Sequence, residues 1–173
     1  MNLRLFELER ARLLDPKGFN ARYPWPVLVW PGAPNEAGSA QDRESSTQAG
    51  SAAARPSTGE VVIVPVVKQD SKANAFAMGI TVGRVGSNDV VLDDPSVSRF
   101  HGYFQHDDKK DLWSLTDAGS QNGTQLNGKR IEGHQRLDEG TTKLVFGEVV
   151  TWFLLPEQFR AWLEAGANVA ALG

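Results

Sequence analysis

The chain has 173 residues, 40% of them hydrophobic, which predicts one domain plus extra chain and a core that needs no staples. Its 21 Asp and Glu outnumber 18 Lys and Arg, and the pI is near 5.6, which argues against a general nucleic-acid or anionic-membrane binder. The absence of cysteine excludes disulfide scaffolds, Cys-ligated zinc, iron–sulfur clusters and thiol catalysis, and suits a reducing compartment.

Residues 1–14 are rich in Leu, Glu and Arg and have no β-branched side chain. Glu7–Arg10 and Glu9–Arg12 stand at i,i+3, so a short helix ending before Pro16 is expected. Leu3 and Leu5 also fit a period of two, which leaves an extended arm as the alternative. Glu7 and Glu9 also interrupt what would be the apolar core of a signal peptide, and no apolar run approaches the roughly 18–20 residues of a membrane span. A cytoplasmic protein is expected.

In Tyr23-Pro-Trp-Pro-Val-Leu-Val-Trp30 the prolines bar helix, and Val27–Trp30 is expected to pair as an edge strand. Residues 31–59 contain no Val, Ile, Leu, Met or aromatic residue. They are Ala, Gly, Ser, Pro and a few charges, which predicts a disordered linker.

From Glu60 onward the pattern is β. Val61–Val67 is an apolar run containing Pro65, consistent with an edge or bulged strand. Ile80 and Val82 alternate ahead of Gly83, and Val90–Leu92 reads as a short buried strand. Gly102–His106 and Leu112–Thr116 flank a charged turn. Asn127-Gly128, between Thr124–Leu126 and Lys129–Ile131, is a strong two-residue hairpin signal. Gly147-Glu148 divides Lys143–Phe146 from Val149–Leu154 in the same way. Short strands at this spacing predict an all-β sandwich. At the C-terminus Pro156 and Glu157 open a helix, with Phe159, Trp162 and Leu163 on one face and Gly166 as its stop.

Two tempting motifs fail. Gly123-Thr-Gln-Leu-Asn-Gly128-Lys129 matches the start of a phosphate-binding P-loop, but Arg130 stands where Ser or Thr must hold magnesium, and no helix follows. Ser98 and His101 suggest a hydrolase, yet three residues of loop give poor geometry for a nucleophile and its base. The three His residues lack metal-site spacing, so neither metal, cofactor nor catalytic role is expected.

Three loop segments carry the functional signal. They are Gly83-Arg84, Ser96-Val97-Ser98-Arg99-Phe100-His101 and Asp117-Ala118-Gly119-Ser120-Gln121-Asn122-Gly123-Thr124. Arg offers a planar fork that fits phosphate oxygens, Ser a compact donor, and Asn a two-sided amide suited to extended backbone. Taken singly, each segment reads better as an ordinary turn, cap or surface charge.

Taken in order, with Ser87-Asn88-Asp89-Val90-Val91-Leu92, Asn127-Gly128, Leu137-Asp138-Glu139-Gly140 and Leu144-Val145-Phe146-Gly147, they strongly resemble the forkhead-associated (FHA) domain. The resemblance covers about residues 60–155. It divides the chain into 1–30, an N-terminal helix and extended segment; 31–59, the linker; 60–155, the FHA domain; and 156–173, a C-terminal helix. It implies a twisted β-sandwich whose loops at one end bind phosphothreonine peptides. Arg84 and Ser98 would contact the phosphate, with Arg99 beside them. Asn122 would hydrogen-bond the peptide backbone. Gln121 stands where the family often has Ser or Thr on the phosphate, so it would reach there differently. His101 would fix the Ser98 loop, and Gly83, Gly123 and Thr124 would shape the site. The function implied is a non-enzymatic adapter in serine/threonine kinase signalling. Its partner would be a phosphothreonine-containing protein, such as a kinase or its substrate, with no nucleic acid or membrane involved. The alternative is an interaction module on the same fold that works without phosphate.

Overall fold

The structure, a computed structural model, describes residues 3–4, 8, 15, 18–32, 60–69, 76–77, 79–137 and 142–173. The linker expected at 31–59 lies outside them, apart from Pro31 and Gly32. So do residues 138–140 and most of the expected N-terminal helix.

The described strands are β1 (Leu3–Arg4), β2 (Val27–Pro31), β3 (Val61–Pro65), β4 (Ile80–Gly83), β5 (Val90–Val91), β6 (Gly102–Asp107), β7 (Leu112–Asp117), β8 (Thr124–Leu126), β9 (Lys129–Ile131), β10 (His134–Arg136), β11 (Thr142–Phe146) and β12 (Val149–Leu154). They form two sheets: a large one in the order β1-β3-β2-β12-β11-β8-β9 and a small one in the order β10-β7-β6-β4-β5. Neighbours are antiparallel except β4 and β5. This is the all-β sandwich that the sequence predicts, with short helices at Phe19–Arg22 and Pro156–Glu164.

Alternation sorts the apolar residues of the large sheet onto two faces. Leu28, Trp30, Val64 and Phe153 point into the space between the sheets, against Val82, Phe104 and Leu115. Val27, Val29, Ile63, Trp152 and Leu154 point the other way. That outer face would be wet in a bare sandwich. Here the helix Pro156–Glu164 covers it with Phe159, Trp162 and Leu163, joined by Leu8 and Phe19. Pro156 starts the helix, Gln158 Oε1 accepts the Leu155 N–H at 2.9 Å, and Gly166 leaves it at φ +89°.

Two strands correct the sequence expectation: Val61–Val67, expected at an edge or bulged, forms Val61–Pro65 between β1 and β2, where the short N-terminal strand covers its outer side. Val27–Pro31 is not at an edge: it pairs with β3 on one side and β12 on the other. Prolines limit a strand only where they sit, and here Pro24 and Pro26 precede it and Pro31 closes it, so the N–H groups between remain free to bond. Of the expected N-terminal helix only Leu3, Arg4 and Leu8 are described. Leu3–Arg4 pairs with Ile63 and Val62, while Leu8 is helical and fully buried. The β8–β9 turn has Asn127 at φ +48° and Gly128 at +80°, the left-handed pair that a two-residue hairpin requires. Strand β10 has no counterpart in the sequence reading, because all three of its residues are exposed and show no apolar alternation.

Candidate functional site

The loops leaving β4, entering β6, joining β7 to β8 and joining β11 to β12 meet at one end of the sandwich. The first is tied at Gly83. A Cβ there would stand 2.4 Å from the Arg99 carbonyl oxygen and 2.8 Å from Asn88 Nδ2, so only glycine lets the backbones approach this closely. The buried Asn88 uses that space: its Nδ2 donates to the carbonyls of Val85 at 2.9 Å and Arg99 at 2.7 Å. The Arg84 N–H donates to the Ser98 carbonyl at 3.0 Å. Arg84 is thereby carried to the Ser98 loop, its guanidinium donating to the Pro95 carbonyl at 3.4 Å.

The Ser98 loop is built from below. Ser96 N–H and Oγ both donate to Asp94 Oδ1, at 2.9 and 2.7 Å, and Ser96 Oγ accepts the Glu148 N–H at 3.0 Å. The Ser98 N–H donates to His101 Nδ1 at 3.2 Å. A backbone N–H can only donate, so Nδ1 must be the acceptor and the proton of the neutral ring lies on Nε2. That Nε2–H then donates to Thr124 Oγ1 at 3.2 Å, and Thr124 in turn donates to Asp117 Oδ2. Burial pushes the His101 pKa below its usual 6.5, against the opposing pull of Asp117 and the Gly123 backbone, which favours this neutral form.

Partial burial alone would raise the Asp117 carboxyl. Hydrogen bonds from Thr124 and from the Ser120 N–H and hydroxyl, with His101 nearby, outweigh that and hold it below the usual carboxylate value. Asp117 Oδ1 also accepts the Gly119 N–H at 2.9 Å, closing the turn into the third loop. Gly123 leaves that turn at φ +82°, a conformation that demands glycine.

Two bonds join the second and third loops across 23 and 26 residues of sequence. The Gln121 N–H donates to Ser98 Oγ at 3.0 Å, and Asn122 Nδ2 donates to the Ser96 carbonyl at 2.8 Å. The Ser98 hydroxyl therefore keeps its own proton to give. Asn122 is exposed, with its amide oxygen on the same group.

Between these loops lies a cleft of about 410 Å³, lined by Arg84, Ser96, Ser98, Arg99, Phe100 and Gln121 among others. Among the described residues its lining has two arginines and no carboxylate, which suits an anion. The residues expected to bind are thus brought together: Arg84, Ser98, Arg99 and Gln121 on the wall, and Asn122 bonded to the wall residue Ser96. His101, Thr124, Gly83 and Gly123 lie buried behind them. The hydrolase geometry is not formed, because His101 meets the backbone of Ser98 and not its hydroxyl.

Sequence reasoning assigned no role to Asn88, Asp94 or Asp117, whose side chains hold the loops. Their signal was a short polar residue next to an apolar strand, too common to single out. A second hollow of about 430 Å³ between β6, β7 and β10 touches none of the sequence-predicted residues. Among the described residues no cluster of three or more His, Asp or Glu is placed to hold a metal ion, and no helix is long and apolar enough to cross a membrane.

No curated protein matches the chain. Among solved structures, it is similar to Mycobacterium tuberculosis EmbR in complex with a low-affinity phosphopeptide, at 28% identity and a TM-score of 0.41. That match covers 46% of this chain and 20% of EmbR, so the chain spans about one fifth of that relative's length. It is similar to the FhaA FHA domain, at 26% identity and a TM-score of 0.39, over 43% of this chain and 77% of that one. It is also similar to the yeast Dun1 FHA domain in complex with a doubly phosphorylated peptide, at 21% identity and a TM-score of 0.45, over 75% of this chain and 73% of that one. The FHA domain family model matches residues 80–147, the stretch that holds Gly83-Arg84, Ser98, His101 and Asn122-Gly123. The resemblance to the FHA domain is thus matched by the family model over residues 80–147 of this chain.

Proposed function

We propose that this protein is a non-enzymatic, cytoplasmic adapter that binds a phosphothreonine peptide in the cleft, and so recruits a phosphorylated partner in serine/threonine kinase signalling. The observation that carries the reading is the convergence of Arg84, Ser98 and Arg99 on one anion-suited cleft, with Asn122 at its rim. Arg84 and Ser98 hold the phosphate, and Arg99 adds charge. Asn122 bonds the peptide backbone next to the phosphothreonine. Gln121 has its N–H committed to Ser98, so its side-chain amide is what it offers the ligand. The relay from Ser98 through His101 and Thr124 to Asp117 fixes the wall in advance, which lowers the ordering cost on binding. The match of residues 80–147 to the FHA domain family model agrees with this reading.

Phosphothreonine has a charge of about −1.5 to −2 at neutral pH. A hydrogen bond to a charged group contributes roughly 1.5–3 kcal/mol. Arg84→Ala should therefore weaken binding about tenfold to a hundredfold. The test is calorimetry against a phosphothreonine peptide library, with phosphoserine and unphosphorylated libraries alongside. Phosphate-dependent binding lost in Arg84→Ala supports the reading. Equal affinity for phosphorylated and unphosphorylated peptides overturns it in favour of a phosphate-independent interaction module.

A further inference from the structure

Phe100 is the one large hydrophobic side chain left exposed among the described residues, at 43%. It lies on the wall of the cleft, one residue beyond Arg99. Its neighbours are aromatic. The Phe76 ring is 5.8 Å from the Phe100 ring and 4.9 Å from that of Tyr103. Tyr103 is half-buried between two buried residues of β6, Gly102 and Phe104, so it faces away from the core on the outer side of the small sheet. The three rings form a shelf that runs from the cleft onto that outer face.

The shelf is held in place from beneath. Lys68 Nζ donates to the Phe76 carbonyl at 2.7 Å, the Gly79 carbonyl at 3.0 Å and Asp89 Oδ2 at 3.0 Å. All three donors of the ammonium are used. Asp89 is 2% exposed, and its carboxylate also accepts the N–H groups of Gln69 at 2.9 Å and Thr81 at 2.8 Å. A buried carboxylate thus fixes the cation that holds the backbone of Phe76. This is more construction than a stray surface phenylalanine has, and single stray ones are ordinary.

We propose that the shelf is a specificity surface of the same site, and that it takes one large apolar side chain flanking the phosphothreonine of the bound peptide. The proposal rests on the phosphothreonine reading. Phe100 belongs to both the cleft and the shelf, so a peptide whose phosphate lies on Arg84 and Ser98 runs directly onto the rings. Arg84 and Arg99 on the same wall select the charge, and the rings select an apolar neighbour. The ligand class is therefore a phosphothreonine segment with a large aliphatic or aromatic residue close to the phosphothreonine.

The test uses the full chain and phosphothreonine peptides in which each flanking position is varied in turn. The parent protein should prefer Leu, Ile, Met or Phe over Ala at one position by about fivefold to tenfold, the worth of a partly buried apolar side chain. Phe100→Ala should reduce that preference to less than about twofold, and Phe100→Leu should restore it. Phe100 is exposed, so neither variant threatens the core. Three results overturn the proposal. The first is phosphate-dependent binding with no apolar preference in the parent. The second is an unchanged preference in Phe100→Ala. The third is a parent dimer that Phe100→Ala converts to monomer with peptide preference intact, which would assign the ring to contact with a second copy. Loss of phosphate dependence in the parent itself overturns the phosphothreonine reading, and the shelf with it.

Discussion

The cleft and the helix-covered face of the large sheet are held by different forces. The cleft loops are joined by directional hydrogen bonds in a fixed order, from Ser98 through His101 and Thr124 to Asp117, and from Asn122 to Ser96. The covered face is held by apolar contact. Phe159, Trp162 and Leu163 rest on Val27, Val29, Trp152 and Leu154, and Trp162 adds one bond to the Asn168 carbonyl. Apolar burial scales with area and tolerates small shifts, whereas a relay fails when one member is lost. The covered face should therefore set how stable the protein is, and the cleft how well it binds.

Three measurements can break or sharpen that contrast. The largest expected effect is on stability. Phe159 is 1% exposed, and Phe159→Ala should cost about 3–5 kcal/mol in urea unfolding. Peptide affinity of the molecules still folded should stay at the parent value. A parallel loss of affinity would show that the two regions are coupled.

Next is Thr124→Val, which keeps the shape but removes the hydroxyl. His101 Nε2 then loses this acceptor and falls back on the Gly123 backbone, since Asp117 Oδ2 at 3.9 Å is too far for a direct bond. The cost should be about 1–3 kcal/mol of stability, and here affinity should fall as well, because the Ser98 loop leans on His101. Calorimetry and urea unfolding on the same sample check both. Full affinity in a destabilised variant would mean that the relay supports the fold alone.

The smallest effect is that of pH on the unliganded protein. The folded state lowers the His101 pKa from 6.5, so the unfolded chain binds the proton first as pH falls. The stability from the neutral ring is complete above pH 6.5 and declines below it, by at most about 1.4 kcal/mol per pH unit. The lowered Asp117 adds stability that is present above its usual 3.8 and is lost as pH falls further. Urea midpoints between pH 8 and 5 measure the slope. A flat profile would contradict a buried neutral His101.

Much of this was legible in the residues. Asn127-Gly128 and Gly147 specify turns through their own backbone freedom, Pro156 and Gly166 bracket a helix, and alternation marks the strands. Those signals are local, so a linear reading captures them. It missed β10, whose residues have no buried face, and misplaced Val27–Pro31 at an edge, because proline content says nothing about which strands arrive on either side. The supporting carboxylates of Asp89, Asp94 and Asp117 went unassigned for the same reason: their partners are set by folding.

The sequence by itself determined the β-sandwich class, the hairpins and the closing helix, and it singled out Arg84, Ser98, Arg99 and Gln121, which line the cleft. Only the tertiary structure decided the order of strands in the large sheet and the tautomer of His101. It alone joined Asn122 to Ser96 and left Phe100 exposed on a shelf with Phe76 and Tyr103. Turn and period signals arise from each residue's own backbone and neighbours. Pairings across 20 or more residues, and the exposure of one ring among many, depend on which surfaces the whole chain brings into contact.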